Sequence, residues 1–265
     1  MKLLEYQART LMEKFGIPVK PHIVIDGIPG IVKKIRNAGL AYPLVIKAQV
    51  QTGGRGKAGG VQFAENEDEA VKLCEKMLHM DIRGFRADEL MISEKAGISR
   101  EWYLSILLDR LTKSPLLIFS PMGGVDIEET ARTAPGMIAK VPLDPLRGVA
   151  DYSISYVMDK TGADLQYRNA LKDTVQKLFR IFFDYYAMLV EINPLGIDES
   201  GQLITLDGKV EIDDNALSAL PDILAFGRSF RKIPRSWKPG ISISILYPWK
   251  TAVLSGSCPT DQGCL

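Results

Sequence analysis

Histidine and cysteine are scarce in this sequence, at two and three residues in a chain of 265. Cys74, Cys258 and Cys264 have no metal-ligand spacing and are too few for a disulfide framework, which excludes a zinc ribbon and a stapled secreted scaffold. A reducing, cytoplasmic setting is the expectation. His22 falls in a strand-like segment and His79 at the end of a helical one, and neither has a glycine-rich or acidic setting. Both are read as structural. Charge of one sign is also lacking. Lys and Arg number 33 against 32 Asp and Glu, which argues against a nucleic-acid binder with a broad basic face. No apolar run approaches the roughly 18 residues needed to cross a bilayer, so no membrane partner is expected. Glu5 and Arg9 stand where a signal peptide would need its apolar block.

What is present is apolar mass and glycine. Hydrophobic residues make up 46% of the chain, enough for a sizeable core in one large or two small domains. In "KLLEYQARTLMEKFGIP", Leu4, Ala8, Leu11, Met12 and Phe15 recur at helical spacing, and Gly16 and Pro18 close the helix. "HIVI" predicts a strand and "GIPGIVKKIRNAG" a helix ending at Gly39. "PLVIKAQV" and "GVQFA" are strands flanking a glycine-rich stretch. "NEDEAVKLCEKML" is a helix capped by Asn66, with acids in its first turn. "DELMIS", "EWYLSILLDR" and "PLLIFSPM" are strands. The longest helix, "DLQYRNALKDTVQKLFRIFFDYYAM", sets Leu171, Val175, Leu178, Phe182 and Tyr186 along one stripe. Helices alternating with antiparallel strand pairs predict α+β layers, not a doubly wound parallel sheet.

The glycine-rich stretch "KAQVQTGGRGKAGG" runs from Lys47 to Gly60. Gly54 to Gly59 match G-x-G-x-x-G, but a strand follows where a dinucleotide fold needs a helix. A Walker A loop is excluded because Ala58 follows Gly56-Lys57 and Gln51 stands where the first glycine belongs. A flap between two strands remains. Its glycines let backbone N–H groups approach a phosphate, and Arg55 and Lys57 add positive charge. Lys47 lies in so apolar a strand that burying it requires an anion. The alternative is an exposed hairpin with solvated charges.

A second informative stretch is "VEINPLGIDESGQLITLDGKV". A three-residue loop at Glu199-Ser200-Gly201, with Gly201 left-handed, pairs Asp198 with Gln202. Counting outward, Asn193 then lies opposite Asp207, and Glu191 opposite Lys209. Alternation puts these four on one face and Ile192, Leu206 and Val210 on the other. An Asn carbonyl and an Asp carboxylate together suit Mg²⁺, which takes one or two protein oxygens and completes its shell with water and phosphate oxygens. Pro194 predicts a strand at an edge or ending there. The alternative is a solvated polar face with a Glu191–Lys209 pair. The occurrence of flap and hairpin in one chain favours the metal–nucleotide reading.

The segments "EYQARTLMEKFGIP", "VIKAQVQTGGRGKAGGV", "GGVDIE", "KVPLDPL", "EINPL" and "LDGK", in this order, resemble the β subunit of succinyl-CoA synthetase, the ADP- or GDP-forming succinate–CoA ligase. Malate–CoA ligase and the β-like part of ATP citrate lyase share the pattern. The resemblance covers about residues 1–225 and implies an ATP-grasp fold, with the nucleotide between two α+β subdomains. It implies that Lys47, Gly54, Arg55 and Gly56 hold nucleotide phosphates. Glu94 and Gly97 would lie at the adenine and linker, and Glu101 at the ribose, although the sequence is one residue shorter than the family form between Glu94 and Glu101. It further implies that Asn193 and Asp207 ligate Mg²⁺, and that Glu191 orients a phosphohistidine supplied by a partner α subunit carrying the CoA site. The implied chemistry is reversible. Mg–ATP or Mg–GTP phosphorylates that histidine, the phosphate passes to succinate, and CoA displaces it, a tricarboxylic acid cycle reaction.

Family likeness fades after "DDNALSALPDILAF". From Phe226 onward there are six Lys or Arg and one acid, Asp261, with four prolines, two tryptophans and two cysteines. Residues 226–265 are therefore expected to be an anomalous basic tail in place of the family's C-terminal ligase domain. Translation in a shifted reading frame is one hypothesis that this composition fits; a tail that docks a partner is the rival. Without the further domain, a nucleotide-binding remnant with little complete turnover is the alternative function. A third is another ATP-grasp enzyme joining a carboxylate to an amine or thiol.

Overall fold

The structure, a computed structural model, is described over residues 1–227. The tail expected at 226–265 lies almost wholly outside the described residues. The elements in order are α1 (Glu5–Lys14), β1 (His22–Ile25), α2 (Ile31–Asn37), β2 (Leu44–Ala48), β3 (Val61–Ala64), α3 (Glu67–Met77), β4 (Asp81–Ile82), β5 (Phe85–Arg86) and β6 (Leu90–Glu94). Then follow β7 (Ile98–Asp109), β8 (Ser114–Ser120), α4 (Ile127–Thr133), β9 (Ala139–Pro142), α5 (Asp151–Thr161), α6 (Arg168–Asp184), β10 (Ala187–Asp198), β11 (Leu203–Thr205), β12 (Gly208–Ile212) and α7 (Pro221–Gly227).

Two sheets organise these elements. The first runs β1-β6-β2-β3 and the second β11-β10-β7-β8-β9, with β12 also paired to β10. All their strand pairs are antiparallel, as the α+β reading requires. Each sheet has its own core. Ile31 and Ile35 of α2 and Ala70, Cys74 and Met77 of α3 pack on Leu44, Ile46 and Ile92 of the first. α6 packs on β7 and β10 of the second, α1 on β12 and α5 on β9, in one core around Trp102, Leu104, Val190 and Ile192. The first helix thus belongs to the second core, although the chain then crosses to build the first. Residues 95–97, between β6 and β7, join the two sheets.

Local chemistry explains most boundaries. Gly16 and Gly39 take positive φ just past α1 and α2, a conformation glycine adopts without steric cost. Asn66 caps α3 by accepting the Glu69 N–H at 3.0 Å. On α6, Leu171, Val175, Leu178 and Phe182 are all buried. Tyr186 departs from the predicted stripe: it lies beyond the helix end, with φ of 49°.

Pro194 also departs from expectation. It sits within β10, an internal strand paired on both sides, and neither at an edge nor at a strand end. The ladder from β10 to β7 shifts register between Ile192 and Leu195, so the residue lacking an N–H falls at a β-bulge. The bulge, not an edge, accommodates it.

Candidate nucleotide and metal site

The hairpin count holds in space. Gly201 is left-handed at φ 82°. The Asp198 N–H donates to Gln202 O at 3.0 Å, and the Asn193 N–H donates to Asp207 O at 3.1 Å. Glu191 is in register with Lys209, and Leu195 with Thr205. Ile192 and Val210 on the other face are fully buried, and Leu206 is half-buried.

Asn193 uses both ends of its amide on the loop after β8. Its Oδ1 accepts the Gly124 N–H at 2.8 Å, and its Nδ2 donates to Val125 O at 3.0 Å. The same loop meets Glu101, whose backbone O accepts the Gly123 N–H at 2.8 Å. Gly124 has φ of 73°, and any Cβ there would collide with the Glu101 carboxylate. Glu101 and Asn193 therefore flank one loop.

The glycine-rich flap joins β2 to β3, as expected, but it is not a solvated hairpin. A tight turn returns the Gly60 N–H to Arg55 O at 2.8 Å. The Arg55 side chain is 11% exposed. Its Nη1 donates to Ala48 O at 3.1 Å and its Nη2 to Asp207 Oδ2 at 2.8 Å. A second ion pair links Arg55 to Glu5. Gly54 is left-handed, with the Arg83 guanidinium 3.0 Å from where a Cβ would stand. A Cβ at Gly56 would make only an ordinary contact, 4.0 Å from Val61 Cγ2. Lys57, exposed at the flap tip, reaches Asp126 on the loop after β8 at 2.8 Å. The flap is thus tied to the second sheet at its base and its tip.

Lys47 meets the anion its burial demands. Its Nζ lies 2.9 Å from Glu5 Oε1 and donates to Leu206 O at 2.7 Å. Burial alone would raise the Glu5 carboxyl, but Arg55, Lys47 and Arg9 outweigh it and hold the group well below the usual range.

Glu191 accepts the Tyr103 O–H at 2.9 Å. Burial pushes its carboxyl up, while that hydrogen bond and Lys209 pull it back and Asp207 adds to the rise. The alternative Glu191–Lys209 pair is not formed, because Lys209 Nζ instead meets Glu211 at 3.1 Å.

The structure thus brings Lys47, Arg55, Glu191, Asn193 and Asp207 to one seam between the sheets, with Glu101 across the loop. Glu94 and Gly97 stand apart at the linker. Glu94 Oε1 accepts the Ala41 N–H at 2.8 Å, and Gly97 faces the Glu199 carboxylate. Sequence reasoning missed Glu5, Arg9 and Tyr103. A signal for the first two was present: Glu5 and Arg9 are four apart and share the stripe of Ala8 and Met12.

Asn193 and Asp207 offer hard oxygen donors from facing strand positions, a set that fits Mg²⁺ and does not fit softer, thiolate- or imidazole-seeking metals. Among the described residues no group of three or more His, Cys, Asp or Glu is gathered as a metal cage.

The ATP-grasp domain family matches residues 2–197. The chain is 38% identical over 225 residues to the β subunit of an ADP-forming succinate–CoA ligase of Bacteroides thetaiotaomicron, covering 85% of this chain and 60% of that protein. A β subunit of the same description from Pyrobaculum islandicum is 40% identical over 227 residues, covering 84% and 58%. The chain thus spans about three-fifths of the length of these relatives. Among solved structures, ACD1 of Ca. Korarchaeum cryptofilum in complex with coenzyme A superposes with a TM-score of 0.65 at 18% identity, covering 80% of this chain and 93% of that one. ATP citrate lyase of Methanothrix soehngenii, in complex with citrate and coenzyme A, gives 0.63 at 19%, covering 96% and 60%. At those identities the likeness is one of fold.

Proposed function

This chain belongs to the ATP-grasp domain family, and from that premise we propose that it is the nucleotide-binding part of an acid–CoA ligase β subunit, with residues 1–225 forming the domain. It binds Mg–ATP or Mg–GTP and passes a phosphoryl group to a histidine of a partner α subunit that carries the CoA site. Succinate is the proposed acid, malate the alternative, and the setting a cytoplasmic tricarboxylic acid cycle. No helix among the described residues is long and apolar enough to cross a membrane. One observation carries the reading: Arg55 of the flap reaches Asp207 of the hairpin at 2.8 Å, which joins the phosphate-type and metal-type residues in one place.

In this proposal the nucleotide lies across the linker. Glu94 and Gly97 border the purine, and Glu101 the ribose. Lys47, Arg55 and the N–H groups of Gly54 and Gly56 hold the phosphates. Asn193 and Asp207 hold Mg²⁺, which when bound neutralises charge on the phosphate oxygens. Lys47 and Arg55 stabilise the charge spread over the moving phosphoryl group. The bond from the γ-phosphorus to the bridging oxygen breaks, a phosphorus–nitrogen bond forms on the incoming histidine, and nucleoside diphosphate leaves. Glu191, fixed by the Tyr103 hydroxyl, accepts the N–H of that histidine and aims its other nitrogen. The phosphoryl group then passes to the carboxylate acid, and the CoA thiol displaces phosphate to give the thioester.

Calorimetric titration with Mg–ATP and Mg–GTP tests the nucleotide assignment. Wild type is expected to bind one or both, and Asp207→Ala to bind at least ten-fold more weakly. Equal binding by the two proteins would refute the role given to the hairpin. A coupled assay with α subunit, CoA and either succinate or malate tests the acid.

A further inference from the structure

The first turn of α1 carries a carboxylate to which the proposed function gives no role. Glu5 is 2% exposed and faces three cations from three separate elements. Arg9 Nη2, from its own helix, lies at 2.8 Å. Lys47 Nζ, from β2, lies at 2.9 Å, and Arg55 of the flap forms the third pair. The last two are the residues assigned to the nucleotide phosphates. Among the described residues Glu5 is therefore the carboxylate that pairs with both, and it does so from a helix anchored in the opposite core.

Donor counting shows what this arrangement leaves open. An ammonium has three N–H donors, and Lys47 commits two, to Glu5 and to Leu206 O. A guanidinium has five, and the bonds of Arg55 go to Ala48 O, Glu5 and Asp207. Each cation is thus oriented by fixed acceptors and retains donors for a further oxygen ligand. Charge counting agrees. Arg9, Lys47 and Arg55 face Glu5 and Asp207, a surplus of one positive charge. Arg9 Nε and Nη1 add buried donors with no hydrogen-bond partner. Without Glu5, three cations would crowd a poorly solvated space and repel one another.

We infer that Glu5 is a positioning residue for nucleotide binding: its buried carboxylate aims Lys47 of the strand and Arg55 of the flap at the same phosphate group. The inference rests on the assignment of those two cations to the nucleotide. It goes beyond that assignment by giving α1, which makes no direct contact with the phosphates in the proposal, control over their affinity.

The competing role is a plain staple between α1 and the first sheet. The two differ in which part of the ligand feels the loss. Dissociation constants for Mg–ATP and Mg–GTP, and for adenosine and guanosine, are measured on wild type and Glu5→Gln. Calorimetry serves for the nucleotides and ligand-observed NMR for the nucleosides. The positioning role predicts at least ten-fold weaker binding of the triphosphate and less than two-fold change for its nucleoside. Equal weakening of both, or of neither, overturns the inference. Failure of wild type to bind either triphosphate overturns the nucleotide assignment itself, and the inference with it. If Glu5→Gln does not fold, Glu5→Asp keeps the charge but shortens its reach. It is expected to weaken the triphosphate at least three-fold with the nucleoside unchanged, and parallel losses overturn the inference there too.

Discussion

Replacing Glu5 by Gln should lower stability in a pH-dependent way that can be worked out beforehand. At neutral pH the variant leaves Arg9, Lys47 and Arg55 buried around a neutral amide. Breaking a buried pair by removing one partner costs about 3–5 kcal/mol. Because Gln keeps an acceptor oxygen, the lower figure of about 3 kcal/mol is expected. For a chain of this size that lowers Tm by roughly 6–12 °C. The folded-state carboxyl of Glu5 is depressed from its ordinary value of 4.5, because the three cations outweigh the opposing effect of burial. Its contribution is therefore complete above pH 4.5 and is lost as pH falls below it, at about 1.4 kcal/mol per pH unit. Other carboxyls titrate in both proteins and cancel in the difference. Urea denaturation followed by far-UV circular dichroism should show a gap of about 3 kcal/mol at pH 7, narrowing by about 1.4 kcal/mol at pH 3.5. A gap that stays constant between the two pH values would refute the reasoning, since Glu5 would then not be ionised and paired in the folded chain.

The other expected outcomes are more local. Leu178→Ala empties a fully buried site on α6, so it should cost about 2–5 kcal/mol in urea denaturation while changing nucleotide affinity less than two-fold. Tyr103→Phe removes the hydroxyl whose hydrogen bond pulls the Glu191 carboxyl down against the upward push of burial. The Glu191 carboxyl should then titrate at higher pH than in wild type, read by carbon-13 NMR, and a shift to lower pH would contradict the assigned donor. Gly124→Ala forces a side chain into the space of the Glu101 carboxylate at positive φ. It should displace the loop that Asn193 grips and weaken Mg–nucleotide binding at least ten-fold in calorimetry.

Much of this arrangement was legible in the sequence because it depends on short-range rules. One left-handed glycine, Gly201, fixes the register of the whole hairpin, and the count from it reached Asn193 opposite Asp207 without error. The stripe from Leu171 to Phe182 is long enough to declare a helix and a core together. The misses have physical causes. "DYSISYVMDKT" is rich in strand-favouring Tyr, Ile and Val and has no side-chain cap, yet it forms α5 because Ile154, Val157 and Met158 find a packing partner. Tertiary burial overrode local propensity. Pro194 broke the edge-strand rule because a bulge removed the ladder position that needed its N–H. Glu5 and Arg9 entered the sequence reading only as charges that exclude a signal peptide. Only the return of β2, the flap and the residues around Leu206 shows that this face of α1 is covered. The resemblance to known β subunits supplied the proposed roles of Glu94, Gly97 and Glu101, which spacing did not.

The most direct measurement of the central claim uses Mn²⁺, which accepts the same oxygen ligands as Mg²⁺ and scatters X-rays anomalously. Crystals of the chain grown with Mn²⁺ and a non-hydrolysable ATP or GTP analogue should show an anomalous peak coordinated by Asn193 and Asp207, with the triphosphate between it and Lys47 and Arg55. A peak at other residues, or a nucleotide whose phosphates lie away from the flap, would contradict the account.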